Sequence, residues 1–411
     1  MPSIKHPLPG GTLCACTFDD REIEAAVNLL KTPEKLFRHR GGEATNADLF
    51  EKEVCALTGA NHALMVNSGT SALTCCLAAL GIGPGDDVII PAYTYIATAA
   101  AVVDVGAIPI LAEIDESLGL DPEDFERKIT PYTKAVICVH MQGVPCKIDA
   151  IRAVAKRHGL YMIEDCCQAI GAKYKGDYCG VKSDAFAWSL NYFKTITCGE
   201  GGVVFCADER HFAKAVCQSD PANLMWKSGL ISEDTQPFSR AGYRVSELSA
   251  AIARVQLTKL EGIVEITRGL KKRLIADLDS PKNYQLQVVD DPEGDAGISF
   301  AIIGKTPEIT KQMTAALNDE GLRVGSIYNE GFPDRHIYSY WDSIINKLSW
   351  SSAGYPWNDP AYKGKIEYSR DMCPRTLDIL SRCMRIGLNT RFTDVNVDEI
   401  AAAINAADKA V

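Results

Sequence analysis

Between residues 61 and 207 the chain alternates short apolar runs with stretches whose apolar residues recur three and four apart. The runs at 63–66, 87–91, 108–112, 135–140, 161–165, 185–190 and 202–206 predict strands. Their near-continuous hydrophobicity is that of strands buried on both faces. The intervening stretches at 69–80, 97–105, 121–129 and 148–158 predict helices. Strands and helices in alternation make a mostly parallel sheet covered on both sides, an α/β fold that places its chemistry at the carboxyl ends of the strands.

Beyond Glu247 the pattern changes. Residues 248–278 read as one long helical stretch, a connector, and apolar runs at 285–289, 298–303, 309–317 and 322–325 suggest a smaller α+β domain. Residues 330–370 are irregular and rich in aromatics, among them Trp341, Trp350, Trp357 and Tyr368, and read as a packed surface excursion. A helical pattern at 397–409 closes the chain. The expected organisation is therefore an N-terminal segment and large domain over 1–260, then the connector helix and small C-terminal α+β domain over 261–411.

Composition narrows the class. A chain of 411 residues can bury about three quarters of its unfolded surface, so its core needs no disulfide or metal. Hydrophobic residues at 46% and charged residues at 23% exclude a mostly disordered chain. A net charge of −10 leaves no basic excess to neutralise phosphates, so no nucleic-acid partner is expected. The longest apolar run, 92–103, carries two threonines, stops at Asp104 and is too short to cross a membrane. The N-terminus has Pro and Gly in place of an apolar leader, and a cytoplasmic location is expected. The 15 cysteines contain no CxxC pair; the closest spacings are Cys14-x-Cys16, Cys75-Cys76 and Cys166-Cys167. Adjacent cysteines on a helix point to different faces and chelate poorly, so reduced, buried cysteines and no metal site are expected.

Three features fall on loops that follow predicted strands. Asn67-Ser-Gly-Thr-Ser71 opens a helix, where Gly69 allows close backbone approach and free N–H groups favour an anion. Asp165 ends an apolar strand in Ile163-Glu-Asp-Cys-Cys-Gln168, and a buried carboxylate there needs a partner. Lys194 follows the strand ending at Ser189 and precedes Gly199-Glu-Gly-Gly202. Singly, each has a plain explanation: an N-cap, a capping acid, a solvated rim charge. Jointly, a phosphate cradle, an acid for a ring nitrogen and an imine-forming lysine are the parts that pyridoxal phosphate requires. Tyr95, at the end of the next strand, is placed to stack on a flat ring.

In these residues the chain resembles the DegT/DnrJ/StrS family of fold-type-I pyridoxal-phosphate enzymes, mostly aminotransferases of keto-sugars and keto-cyclitols. The resemblance runs over nearly the whole chain and is strongest at 67–73, 81–91, 135–144, 164–171 and 189–202. It implies a large, mostly parallel sheet of the seven-stranded type and a smaller C-terminal domain. It implies Lys194 as the Schiff-base lysine and later the proton carrier, and Asp165 as the partner of the pyridine nitrogen. Gln168 would reach the ring's hydroxyl side, Tyr95 would stack on the ring, and Gly69, Thr70, Ser71 and Ser189 would bind the phosphate. It also implies a homodimer with the active site at the subunit interface. Where the family supplies a partner-subunit Asn, two positions before Arg244, this chain has Gly242, and Arg240 or Arg244 are the candidate replacements.

The expected reaction moves an amino group from glutamate or glutamine to a keto-sugar or keto-cyclitol, through pyridoxamine phosphate. His336, Arg391, Arg38 and Arg40 are candidate substrate contacts. Two other readings are a sugar dehydratase, which uses His where this chain has Lys194, and a non-catalytic cofactor-binding regulator of the same fold. A nicotinamide-dependent oxidoreductase would need a Gly-x-Gly-x-x-Gly turn after a strand, and the chain has none.

Overall fold

The computed structural model describes residues 2–411 apart from 14–15, 39–42, 221, 223–227, 231, 233–237, 239, 330 and 332. The strands are β1 (His62–Val66), β2 (Asp87–Pro91), β3 (Ile108–Ala112), β4 (Thr133–Val139), β5 (Tyr161–Asp165), β6 (Lys173–Tyr174), β7 (Asp177–Tyr178), β8 (Ala185–Ser189) and β9 (Gly202–Cys206), then β10 (Tyr284–Leu286), β11 (Ser299–Gly304) and β12 (Cys383–Gly387). Seven of them form one sheet in the order β1-β9-β8-β5-β4-β2-β3. Only β9 runs against its neighbours; the pairs β8–β5, β5–β4, β4–β2 and β2–β3 are parallel. The sheet is the one the apolar runs predict.

Helices cover both faces, and several of them are started by a side-chain cap. Thr45 closes a capping box on the helix Asn46–Thr58, and Ser68, Asp208 and Ser246 cap the helices Gly69–Ala79, Glu209–Ser219 and Glu247–Leu257. Gly59, left-handed at φ +79°, ends the first of these. The helix Gly69–Ala79 is buried almost throughout, which explains why it is apolar on every side. It packs with Ala101, Val102 and Val216 on one face of the sheet, while Phe50, Ile151 and Val264 fill the other.

The C-terminal part has its own three-stranded antiparallel sheet, β10-β11-β12. The helices Pro307–Asp319 and Asp394–Ala410 cover it, around a separate core that includes Phe300, Met313, Leu317 and Ile400. Two details differ from the sequence reading. The long helical pattern is two helices, Glu247–Leu257 and Leu260–Ala276, separated at Thr258 and Lys259. The run 322–325 has no regular structure; β12 supplies the third strand instead. Residues 3–9 lie against this C-terminal part: Ile4 N–H donates to Glu320 O at 3.0 Å, and Asn389 Nδ2 donates to Pro9 O at 3.1 Å. The aromatic stretch packs back along the β2–β3 edge, where Tyr368 Oη donates to Pro109 O at 2.6 Å and Tyr362 Oη to Asp87 Oδ2 at 3.3 Å. No helix among the described residues is long and apolar enough to cross a membrane.

Candidate active site

A cavity of about 540 Å³ opens at the carboxyl ends of β1, β2, β5 and β8, and the loops after these strands line it. Gly69, Thr70, Tyr95, Asp165, Gln168, Ser189, Lys194 and His336, all singled out in the sequence, meet there.

At one end stands the start of the helix Gly69–Ala79. Ser68 Oγ takes the N–H of Ser71 at 3.1 Å, while the N–H groups of Gly69 and Thr70 have no partner among the described residues. They are the first donors of a helix and carry its positive pole. Ser189 closes the cradle: a Cβ on Gly69 would lie 2.6 Å from Ser189 Cβ, so only glycine lets the two approach. Ser71 behaves differently. Its hydroxyl donates to Asn67 Oδ1 at 2.7 Å and exchanges a bond with Ser68 Oγ at 2.9 Å, behind the cradle, and Ser68 lines the cavity in its place.

Asp165 stands at the end of β5, 4% exposed. Thr98 Oγ1 donates to its Oδ2 at 2.9 Å and Cys167 N–H to its Oδ1 at 3.0 Å. Thr98 in turn shares a hydrogen bond of 2.8 Å with Thr94 Oγ1. The sequence reading missed this pair, although its signal was visible: two threonines four apart in an otherwise apolar run.

Lys194 sits on a loop pinned at both ends. Asn191 O accepts its N–H at 3.0 Å, and the residues after it, Thr195 to Cys198, are buried, with Cys198 N–H donating to Leu190 O at 3.1 Å. No carboxylate forms an ion pair with the Lys194 amine among the described residues. Burial pushes the thiol of Cys167 well up, helped by Asp165 and opposed by Lys194. Burial likewise raises Cys166, and takes Cys198 to about 12. These are packing side chains, protonated at neutral pH, and no described cysteine is in a disulfide.

Across the cavity, Tyr95 lies 5.3 Å from the His336 ring, tilted by 52°. His336 Nδ1 bonds Asp334 Oδ1 at 2.6 Å. Burial raises the Asp334 carboxyl, but the side-chain and backbone hydrogen bonds from His336 outweigh it and hold it below the usual range.

The other candidate substrate contacts are not brought together here. Arg38 is 6% exposed, pairs with the Glu51 carboxylate and donates to Met65 O at 3.0 Å, so in this chain it braces β1 against the helix Asn46–Thr58. Arg391 is exposed and outside the cavity lining. Arg40, like Cys14, lies outside the described residues. Of the replacements considered for the family Asn, Arg244 pairs with Asp220 at 2.6 Å and Arg240 Nη2 donates to Asp104 O at 3.3 Å. The backbone beside them does approach the cradle, since Tyr243 O accepts the N–H of Asn67 at 2.9 Å.

A second buried group, His140, Glu164 and Cys166, brings three potential ligand atoms within 4.8 Å of one another. Cys146 N–H donates to His140 Nδ1 at 3.0 Å, so the ring proton sits on Nε2 and is given to Glu164 Oε2 at 2.9 Å. In this arrangement His140 Nε2 is engaged by Glu164 and Nδ1 by the Cys146 N–H.

The donor set around the cavity fits pyridoxal phosphate: open helix N–H groups and hydroxyls, a buried acid whose hydrogen bonds come from neutral donors, and a primary amine outside any ion pair among the described residues. A mostly parallel sheet with this constellation at its strand ends defines a fold-type-I pyridoxal-phosphate enzyme. The DegT/DnrJ/EryC1/StrS aminotransferase family profile matches residues 19–349, and the chain belongs to that family. It is a pyridoxal-phosphate-dependent aminotransferase. Among solved structures it is similar to 3-amino-5-hydroxybenzoic acid synthase, with 25% identity, a TM-score of 0.79 and coverage of 99% of this chain and 100% of that one. It is also similar to DesV of S. venezuelae, at 26% identity and a TM-score of 0.74, covering 95% of each chain. NtdA of Bacillus subtilis, solved with its bound cofactor PMP, shares the fold at 24% identity and a TM-score of 0.72, over 95% of this chain and 83% of that one.

Proposed function

We propose that this aminotransferase moves an amino group from glutamate or glutamine to the ketone of a keto-sugar or keto-cyclitol, with Lys194 as the residue that holds the cofactor. The observation that carries this reading is the convergence of Lys194, Asp165 and the open start of the helix Gly69–Ala79 on one cavity. When bound, the cofactor supplies an electron-accepting ring that spreads the carbanion charge of the donor's α carbon. Lys194 would hold the cofactor at its aldehyde, and its amine, when free, would move a proton between the donor's α carbon and the cofactor's C4′.

Asp165 keeps a proton on the ring nitrogen. The two hydrogen bonds it receives come from neutral donors, which fix its plane and leave its charge uncancelled. Gly69 and Thr70 N–H groups, with the Thr70 and Ser189 hydroxyls, hold the phosphate, and Ser71 supports them from behind. Tyr95 would stack on one ring face, and Gln168 would reach the hydroxyl side; both line the cavity.

The active unit in this reading is a cytoplasmic homodimer. Phe193, at 72% exposure on the cavity rim, and Tyr192 beside it, at 49%, form an apolar edge that a second subunit would cover. A division into 1–260 and 261–411 belongs to the same proposal, supported by the two sheets and the separate core of the second part. Glutamate added to the cofactor-loaded protein is expected to bleach the visible band of lysine-bound cofactor and release one equivalent of 2-oxoglutarate. Lys194→Ala is expected to lack both the band and turnover; a variant that kept both would refute the role of Lys194.

A further inference from the structure

Beside the reaction cavity lies a second hollow of about 470 Å³, and the two share Tyr95, Arg335 and His336 along their linings. The far side of this hollow carries Ser326, Asn329 and Arg385. Among the described residues its charges are unbalanced. Asp334, the one carboxylate among the described residues of the lining, is bonded to His336, through Nδ1 at 2.6 Å and N–H at 2.9 Å. The Arg335 guanidinium has no hydrogen bond or ion pair among the described residues. Arg385 donates from Nη1 to Gln142 Oε1 at 2.8 Å, a neutral amide, and shares the field of Asp334 with His336, so two guanidinium groups and an imidazole face a single described carboxylate.

Both arginines spring from fixed backbone. Arg335 O accepts the N–H of Ile96 at 3.1 Å and Trp341 Nε1 at 2.8 Å, beside the Thr94 N–H to His336 O bond of 2.9 Å. Arg385 sits on β12 opposite Ala301. Gln142, which holds the Arg385 head, is itself in the left-handed region at φ +57°, and its N–H donates to Gln168 Oε1 at 3.4 Å. The Arg385 head is therefore tied through Gln142 to Gln168, and the Arg335 backbone through the His336 segment, to residues that line the reaction cavity.

Resting on the aminotransferase reading above, we infer that this hollow binds an anionic group of the ketone substrate, a carboxylate or a phosphate, through Arg335 and Arg385. A guanidinium fork matches either group, and two of them in a concave site next to the reacting end would fix which ketone is turned toward Lys194. The acceptor is then an acidic keto-sugar or keto-cyclitol, not a neutral one.

The test uses holoenzyme converted to its amino form by glutamate, which reads the aminotransferase assignment by itself. One keto-hexose skeleton is then supplied with a terminal hydroxymethyl, a carboxylate or a phosphate ester, and recovery of the visible spectrum is timed. An acidic probe is expected to exceed the neutral one in kcat/KM by about 10- to 100-fold, the worth of one charge-assisted hydrogen bond. Whichever acid is faster identifies the group. Arg335→Gln and Arg385→Gln should each lower that preference at least about tenfold, with Arg335→Lys and Arg385→Lys retaining more of it. Equal rates for neutral and acidic ketones would overturn the inference, as would a preference that survives both Gln substitutions. A loss confined to the glutamate half-reaction would also overturn it, by giving the arginines to the donor. Failure of glutamate to convert the wild-type cofactor would instead count against the aminotransferase assignment and take the inference with it.

Discussion

Asp165 makes clear how a buried acid can be held ready without being neutralised. Thr98 and the Cys167 N–H occupy one lone pair on each oxygen, and neither brings a positive charge. In the proposed role, a protonated ring nitrogen would be the full countercharge for the group, and Asp165 would thereby favour the protonated form of that nitrogen. Most of this was legible: an Asp at the end of an apolar strand announced a buried acid, and the helix-opening Gly69 announced a close approach. What could not be read was the partner. Thr98 reaches Asp165 from a helix 67 residues away in the chain, and no local spacing encodes that pairing. Ser71 was misjudged for a related reason, since which of two neighbouring hydroxyls faces a cavity depends on the side-chain network behind it. The tightest residue-scale constraint is Gly69. Gly69→Ala would drive a methyl into Ser189 Cβ, 2.6 Å away, and is expected to weaken cofactor binding by about tenfold or more, the equivalent of about 1–3 kcal/mol of overpacking. Fluorescence titration of the apoprotein with pyridoxal phosphate measures it; unchanged affinity would mean that Ser189 can move aside.

Among the elements, those with strong periodicity and clear punctuation were recovered, and those shaped by distant contacts were not. The seven strands of the large sheet stand out because both faces are buried. The break in the helical pattern after Leu257 is invisible in sequence, because no Gly or Pro marks it and the apolar positions continue in phase. Thr258 Oγ1 turns back locally to Val255 O at 2.7 Å, and the tertiary contribution is the Lys259 amine, drawn to Glu22 at 2.6 Å and to Thr17 O at 2.6 Å. β12 was missed since Arg385 and Gly387 are exposed and interrupt its short run. Arg38 belongs to this scale too. Named in the sequence as a candidate substrate contact, it is an internal strut, with Glu51 bonding both its guanidinium and the N–H of Met65, the latter at 2.7 Å. Removing one member of a buried pair strands the other charge. Glu51→Ala is expected to cost about 3–5 kcal/mol in urea unfolding. A loss below about 1 kcal/mol would be that of a solvated surface pair and would contradict this placement.

At the scale of the whole molecule, one sheet supplies the floor of the reaction cavity and the C-terminal part supplies a wall. Arg335 and His336 come from the segment that crosses the mouth of that sheet, and Arg385 from β12. Relative position of the two parts therefore bears on substrate access, a property that periodicity cannot express. Phe193 and Tyr192, exposed at the rim, point to a further layer of organisation. Sedimentation velocity is expected to give a species of twice the 44.7 kDa chain mass; a monomer at every concentration, with full activity, would contradict an active site completed by a partner. The central claim, however, concerns one bond: Lys194 holds the cofactor in the cavity where Asp165 and the helix start meet. Borohydride reduction of the holoenzyme, followed by protease digestion and mass spectrometry, reads that bond directly. The expected result is a phosphopyridoxyl group on the peptide that contains Lys194 and on no other. Its appearance on a different lysine, or no modified peptide from a protein that retains the visible band, would contradict the claim.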